Sequence, residues 1–196
     1  AIGNIADCLG ITKYMVYDKK LCTARELWEA ISANWVGYED LRQTIINDAP
    51  HYGNADPYAD EELKWCVDLY YRICSECYSV RSKKYSAGLY GASDHIAQGW
   101  TTFATPDGRR TGEPLADAIS PSQSRDVNGP TAVFISSGCF DHHHFAGGIA
   151  LNLRIHPSVL SRPDGVKKLV DMTKTYFERG GMEVQYNVVD TATLRA

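Results

Sequence analysis

Three groupings of residues could do chemistry. The first is the run "GCFDHHHFAGG" (Gly138–Gly148), where Cys139, Asp141 and three consecutive histidines offer metal-binding side chains. In an extended chain His142 and His144 face one way and His143 the other, so two at most can share a site, with Asp141 reaching them only through a turn. A hydrogen-bonded loop joining two strands is therefore the expectation, and no metal. The second is "CSEC", Cys74 and Cys77, at a spacing used for zinc, iron–sulfur and redox centres. Leu63, Cys66, Val67, Tyr70, Tyr71, Cys74, Cys77 and Tyr78 step along one helical stripe, and no second ligand pair follows. The pair reads as core. The third is a set of amides. In "IALNLRI" Ala150, Asn152 and Arg154 share a face, and in "MEVQYNVV" Glu183, Gln185 and Asn187 do. Such residues either satisfy one another inside a filled barrel or line a cavity with a polar ligand.

The elements that must position these groups are legible in part. The chain has 196 residues, a net charge of −4 and 44% hydrophobic residues, enough for one sizeable core. Mild acidity without a basic stripe gives no reason to expect a nucleic-acid or membrane-surface partner, and no apolar run is long enough to cross a bilayer. Six cysteines without a secretory signal read as reduced cytosolic thiols, hence a cytoplasmic protein. The first third should be helical. Ile2, Ile5, Ala6 and Leu9 keep helical spacing, and Thr23-x-x-Glu26 is a capping box. A short helix is expected from Tyr38 to Asn47, and Asp56-Pro57 should open a long one reaching Val80. Ser86 to Pro130, rich in Gly, Pro and Ser, should be a long loop ordered against a core. "TAVFISS" (Thr131–Ser137) reads as a strand. A βαβ unit should span Ile149–Val189, its helix capped by Asp164, carrying Val166, Leu169, Val170, Thr173 and Phe177 on one face, and ended by Gly180-Gly181. The sequence opens inside an amphipathic pattern without Met, and stops just after Asp190 or Thr191 could cap a helix. It reads as a piece of a longer protein.

"HYGNADPYAD", "TPDGRRTGEPLADAISPSQSRDVNGPTAV", "LNLRIHPSVL" and "GGMEVQYNVVDTATLRA" stand in series. Together they resemble blocks of the glycyl radical enzymes, the pyruvate formate-lyase-like family, and within it the branch of dehydratases, decarboxylases and C–O, C–N, C–S or C–C lyases. The resemblance implies a fold class of α/β, a ten-stranded barrel of two half-barrels, with a helical first third and then βαβ. It implies a small polar substrate, anaerobic chemistry, a full-length homodimer, and an activating enzyme that uses S-adenosylmethionine to install a glycyl radical. The family's cysteine lies in a Gly-Cys-x-Glu setting and its glycine in Arg-Val-x-Gly-Tyr. Neither motif occurs here; Gly138-Cys139 lacks the glutamate. The segment corresponds to the stretch between the two loops, so this chain alone is expected to be inactive and to bind no cofactor itself. A non-catalytic scaffold or ligand-binding relative is the alternative. By the resemblance, Ser93, Asp94 and His95 are candidate substrate contacts, and Asn152, Gln185 and Asn187 the inward-facing strand positions. Arg109 and Arg110 should fix the GRRTGEP turn with Glu113 as their partner.

Overall fold

The computed structural model describes residues 1–81, 84–91 and 93–190. Thr191, one of the two possible caps near the C-terminus, lies outside them. Helix α1 (Ile2–Thr12) runs into a π-helical turn, Lys13–Asp18, and is followed by α2 (Ala24–Ser32), α3 (Glu39–Asp48) and α4 (Pro57–Glu76). The expected capping box opens α2, with the Thr23 hydroxyl and the Glu26 carboxylate each taking the other's backbone N–H. Asp56 caps α4, with Pro57 at its first position. Helix α4 ends at Glu76, short of Val80, so its stripe is only partly core. Leu63, Cys66 and Val67 are buried, whereas Cys77 and Tyr78 are exposed. The cysteine pair is split between core edge and solvent.

Helix α1 buries part of the expected face, with Ala6 in the core and Ile2 packed against it, but its buried side is rotated toward polar residues. Ile5 and Leu9 are exposed, and Gly3, Asn4, Asp7, Gly10 and Ile11 point inward. The reason is polar. Asn4 Nδ2 donates to Asp107 Oδ2 at 2.6 Å and to Ser122 Oγ at 3.1 Å. Asp7 accepts from the Tyr52 N–H at 2.8 Å and from the Ser122 hydroxyl at 2.7 Å. These bonds tie α1 to the long loop, and buried amides and carboxylates persist because they are satisfied.

The loop region also contains a short helix that the composition hid, α5 (Asp94–Thr101). Gly99 is the close-approach residue there, since a Cβ would collide with the Glu113 carbonyl. The Leu115 N–H donates to the His95 carbonyl at 3.1 Å, fastening α5 to the loop. Thr131–Ser137 is not a strand. It belongs to helix α6 (Pro130–Ser137). Pro130 at the first position after Gly129 is a helix start, and Phe134 packs on Tyr176 with ring centroids 4.9 Å apart. Local β-propensity lost to helix packing.

Strand β1 (Leu151–Ile155), the single turn α7 (Pro157–Leu160), helix α8 (Gly165–Glu178) and strand β2 (Val184–Val188) are the last elements among the described residues. The strands are parallel, as expected, with Asn152 opposite Gln185 and Arg154 opposite Asn187. Gly180, at φ 96°, follows the end of α8. The buried side of α8 centres on Tyr176, with Leu169, Met172 and Thr173 half-buried, while Val166, Val170 and Phe177 are exposed. Tyr176, Phe134, Leu151 and Leu153 join Leu63, Val67 and Tyr52 in the main core. Ile11, Met15, Leu27, Trp35 and Ile45 form a second.

Candidate substrate cavity

The period-two pattern of β1 and β2 sends Leu151, Leu153 and Ile155 into the core and leaves Asn152 and Arg154 on the opposite face, beside Gln185 and Asn187. That polar face opens onto a cavity of about 260 Å³. Its lining includes His95 from α5, Asp117, the turn Ser120–Ser124, Asp126, Asn152, Arg154 and Asn187.

The cavity wall is organised around Asp117. Its Oδ2 accepts from Asn152 Nδ2 at 2.8 Å. Its Oδ1 faces His95 Nδ1 at 3.5 Å. Ser120 locks the strand against the loop: the Asn152 N–H donates to the Ser120 hydroxyl at 2.9 Å, and that hydroxyl donates to the Asn152 carbonyl at 3.2 Å. Asn152 is thus gripped by backbone and side chain, so its amide has one orientation. Burial raises the Asp126 carboxyl above its ordinary range, and the Arg154 charge opposes that rise. The wall therefore offers one imidazole, amides, hydroxyls and charges of both signs. This suits a small, highly hydroxylated or zwitterionic molecule better than an apolar one.

Of the sequence candidates, His95, Asn152 and Asn187 meet at this cavity. Gln185 shares their sheet face opposite Asn152 but is exposed and outside the lining. Ser93 and Asp94 are exposed at the start of α5 and also lie outside it. Asp117 and Ser120 were missed. They lie in an irregular loop with no periodicity to point them inward, and only the resemblance of the TPDGRRTGEPLADAIS block to the family marked the region at all.

The expected roles in GRRTGEP are corrected in one detail. Arg109 does fix the turn, but on carbonyls. Its Nη1 donates to Arg110 O at 3.0 Å and Glu113 O at 2.6 Å, and its Nη2 to Thr102 O at 3.1 Å and to Phe103 O. The Glu113 carboxylate instead accepts from the Arg110 backbone N–H at 2.9 Å.

The histidine run sits between α6 and β1, not between two strands, and forms a 3₁₀ turn, His142–His144. His142 is buried, its Nε2 2.7 Å from the Ser137 carbonyl and its ring stacked on Phe140. Burial lowers its pKa, against the pull of that hydrogen bond. His143 is exposed, and His144 stacks on Tyr71 with centroids 4.0 Å apart. Among the described residues no three metal-ligating side chains converge, and no helix is long and apolar enough to cross a membrane.

Known proteins share this arrangement of elements. Residues 1–99 match the family described as pyruvate formate lyase-like, and residues 115–196 match the glycine radical family. The chain is 36% identical to the trans-4-hydroxy-L-proline dehydratase of Clostridioides difficile, over 98% of this chain and 24% of that protein. It is 34% identical to the (2S)-3-sulfopropanediol dehydratase of Klebsiella oxytoca, over 100% of this chain and 24% of that protein. The glycerol-bound B12-independent glycerol dehydratase from Clostridium butyricum superposes with a TM-score of 0.92 at 34% identity, covering 99% of this chain and 25% of that one. The chain spans about a quarter of the length of these relatives. Its helices and parallel strand pair are a section of their α/β barrel, and the chain belongs to the pyruvate formate lyase-like family of glycyl radical enzymes.

Proposed function

We propose that this chain is one section of the catalytic barrel of an anaerobic glycyl radical lyase, dehydratase or decarboxylase. The full-length protein would cleave a C–O, C–N, C–S or C–C bond of a small polar substrate. The radical belongs to a glycine of that protein, installed by an S-adenosylmethionine-dependent activating enzyme. When present, it starts the reaction by removing hydrogen through a cysteine thiol. The residues of this section neither carry the radical nor break the bond. They form a polar wall that orients the substrate and keeps its polar groups hydrogen-bonded. The observation that carries this reading is the polar face of β1 and β2, which opens onto a cavity closed by His95 and Asp117. In a parallel sheet covered on both sides, apolar residues are the ordinary filling of such positions. The substrates named for relatives — a hydroxyproline, a sulfopropanediol and glycerol — all carry hydroxyls and suit such a wall. A cytoplasmic homodimer fits the same reading.

The test uses the full-length protein, activated without oxygen and offered small diols, hydroxylated amino acids and hydroxysulfonates. Turnover of one class, lowered at least tenfold by Asn152→Leu with the glycyl radical signal unchanged, is the expected result. Full turnover in Asn152→Leu would remove this cavity from the substrate path, and turnover of none of these classes with the radical in place would overturn the hydroxylated-substrate reading.

A further inference from the structure

A second polar cavity, of about 270 Å³, lies on the other side of the Ser122–Ser124 turn, and nothing above uses it. Its charged lining is Arg42, Arg109 and Arg125 against Asp107 and Glu113. In a chain of net charge −4 this is a local excess of cation.

The two carboxylates are already engaged. Asp107 accepts from Asn4 Nδ2 at 2.6 Å, from the Thr105 hydroxyl at 2.5 Å and from the Arg109 N–H at 3.4 Å. Glu113 accepts from the Arg110 N–H, and its other oxygen makes a long ion pair with Arg42 Nη2 at 3.9 Å, without a hydrogen bond. The Arg109 guanidinium is spent on four carbonyls and, at 3.2 Å, on the Thr105 hydroxyl. That leaves Arg125, and Arg42 with only its long ion pair to Glu113. Arg42 is anchored through Nε to the Gly108 carbonyl at 2.7 Å, which aims the rest of its fork. Arg125 is held by its turn, where its N–H donates to the Ser122 carbonyl at 3.0 Å. Nearby Arg110 has its Nε buried without a hydrogen-bond partner.

Gathering guanidinium groups in a partly buried place costs free energy unless an anion joins them. The Arg42 cation shows that cost: burial first, then the Arg110 charge and more weakly Arg125, depress its pKa, and Glu113 and Asp107 offset this only in part. A planar fork with free N–H donors suits a carboxylate or a phosphate. We propose that this cavity binds a small oxoanion, a carboxylate or a phosphate, between Arg42 and Arg125. The site is distinct from the β1–β2 cavity, and it stands or falls independently of the reaction proposed above.

Isothermal titration of the full-length protein, at constant ionic strength in chloride, tests it with two probes, inorganic phosphate and acetate. One-to-one saturable heat with either is expected, and whichever binds identifies the anion class. Arg125→Gln should weaken binding at least tenfold, while Lys167→Gln, at an exposed position of α8 outside the cavity lining, should leave it unchanged. Arg125→Lys, which keeps the charge and loses the fork, serves if the glutamine variant fails to melt as the parent does, and should also bind more weakly. Absence of saturable heat with both probes overturns the proposal, since an acidic side chain or nothing then satisfies the arginines. Heat unchanged by the Arg125 variants overturns it as well.

Discussion

Asp117 Oδ1 and His95 Nδ1 lie 3.5 Å apart, both buried, and neither has a hydrogen-bond partner. Two such atoms facing each other are either a hydrogen bond that tightens when the cavity fills or a standing loss of stability. The other carboxylate oxygen is held by Asn152 at 2.8 Å, so Asp117 cannot swing away to water without releasing the strand amide.

Asp117→Asn in the full-length enzyme should therefore lower kcat/KM at least tenfold, roughly 1.4 kcal/mol, with a small change in melting temperature. The amide keeps an oxygen for Asn152 but turns an NH2 donor toward His95 Nδ1 where a carboxylate acceptor stood. Kinetics and calorimetry on the same preparation check this. A large fall in melting temperature with normal turnover of the folded fraction would make Asp117 a scaffold residue.

Asn187 and Gln185 share a face but not a cavity. Asn187→Leu should harm turnover by a factor of about five to ten, the value of one hydrogen bond near 1 kcal/mol. Gln185→Leu should change it by less than about twofold. Equal losses in the two variants would show that the full barrel draws Gln185 into the site. An early melt in both, with normal turnover while folded, would move both residues to the scaffold.

The histidine run divides by burial. His142→Ala removes a buried ring stacked on Phe140 and strands the Ser137 carbonyl, and should cost on the order of 2–4 kcal/mol. His143→Ala, at an exposed position, should stay within about 0.5 kcal/mol. Denaturant melts of the two variants separate them. Elemental analysis of the parent should find no zinc or iron in proportion to this run. One metal per chain, lost in His142→Ala/His144→Ala, would refute that expectation.

Asp60 makes stability depend on pH in an unusual direction. Burial lifts its pKa from 3.8 to about 6, the Ser136 hydroxyl opposes the rise, and the Asp56 and Asp7 charges add to it. Because the folded state holds the proton more tightly than the unfolded one, this group contributes stability at low pH. That contribution is lost as pH climbs from about 4 through 6. Asp60→Asn should abolish the loss and raise stability at pH 7.5 by on the order of 1–2 kcal/mol, leaving it unchanged near pH 4. Melting temperatures of parent and variant across this range should diverge upward with pH. Parallel curves would show that Asp60 is not the source.

Local chemistry alone determined much of this protein. Thr23 and Glu26 close a capping box because three residues of helix bring them together, whatever lies beyond. Asp56-Pro57 opens α4 for the same reason, and alternation in "IALNLRI" and "MEVQYNVV" assigns each side chain to a sheet face. Four blocks in series carried the family. Partners distant along the chain decided the rest. Thr131–Ser137 has the β-branched look of a strand but packs Phe134 on Tyr176 as a helix. Ile2, Ile5, Ala6 and Leu9 suggested one face of α1; Ala6 and Ile2 do meet the core, but Ile5 and Leu9 are exposed because Asn4 and Asp7 turn inward to meet Asp107, Ser122 and Tyr52. Asp117 is an unremarked loop acid until the fold sets it between His95 and Asn152. A helix or strand period states which residues share a face, because that is backbone geometry. What the face meets is set by side chains far away in sequence, and only the packed structure brings their hydrogen-bond demands together.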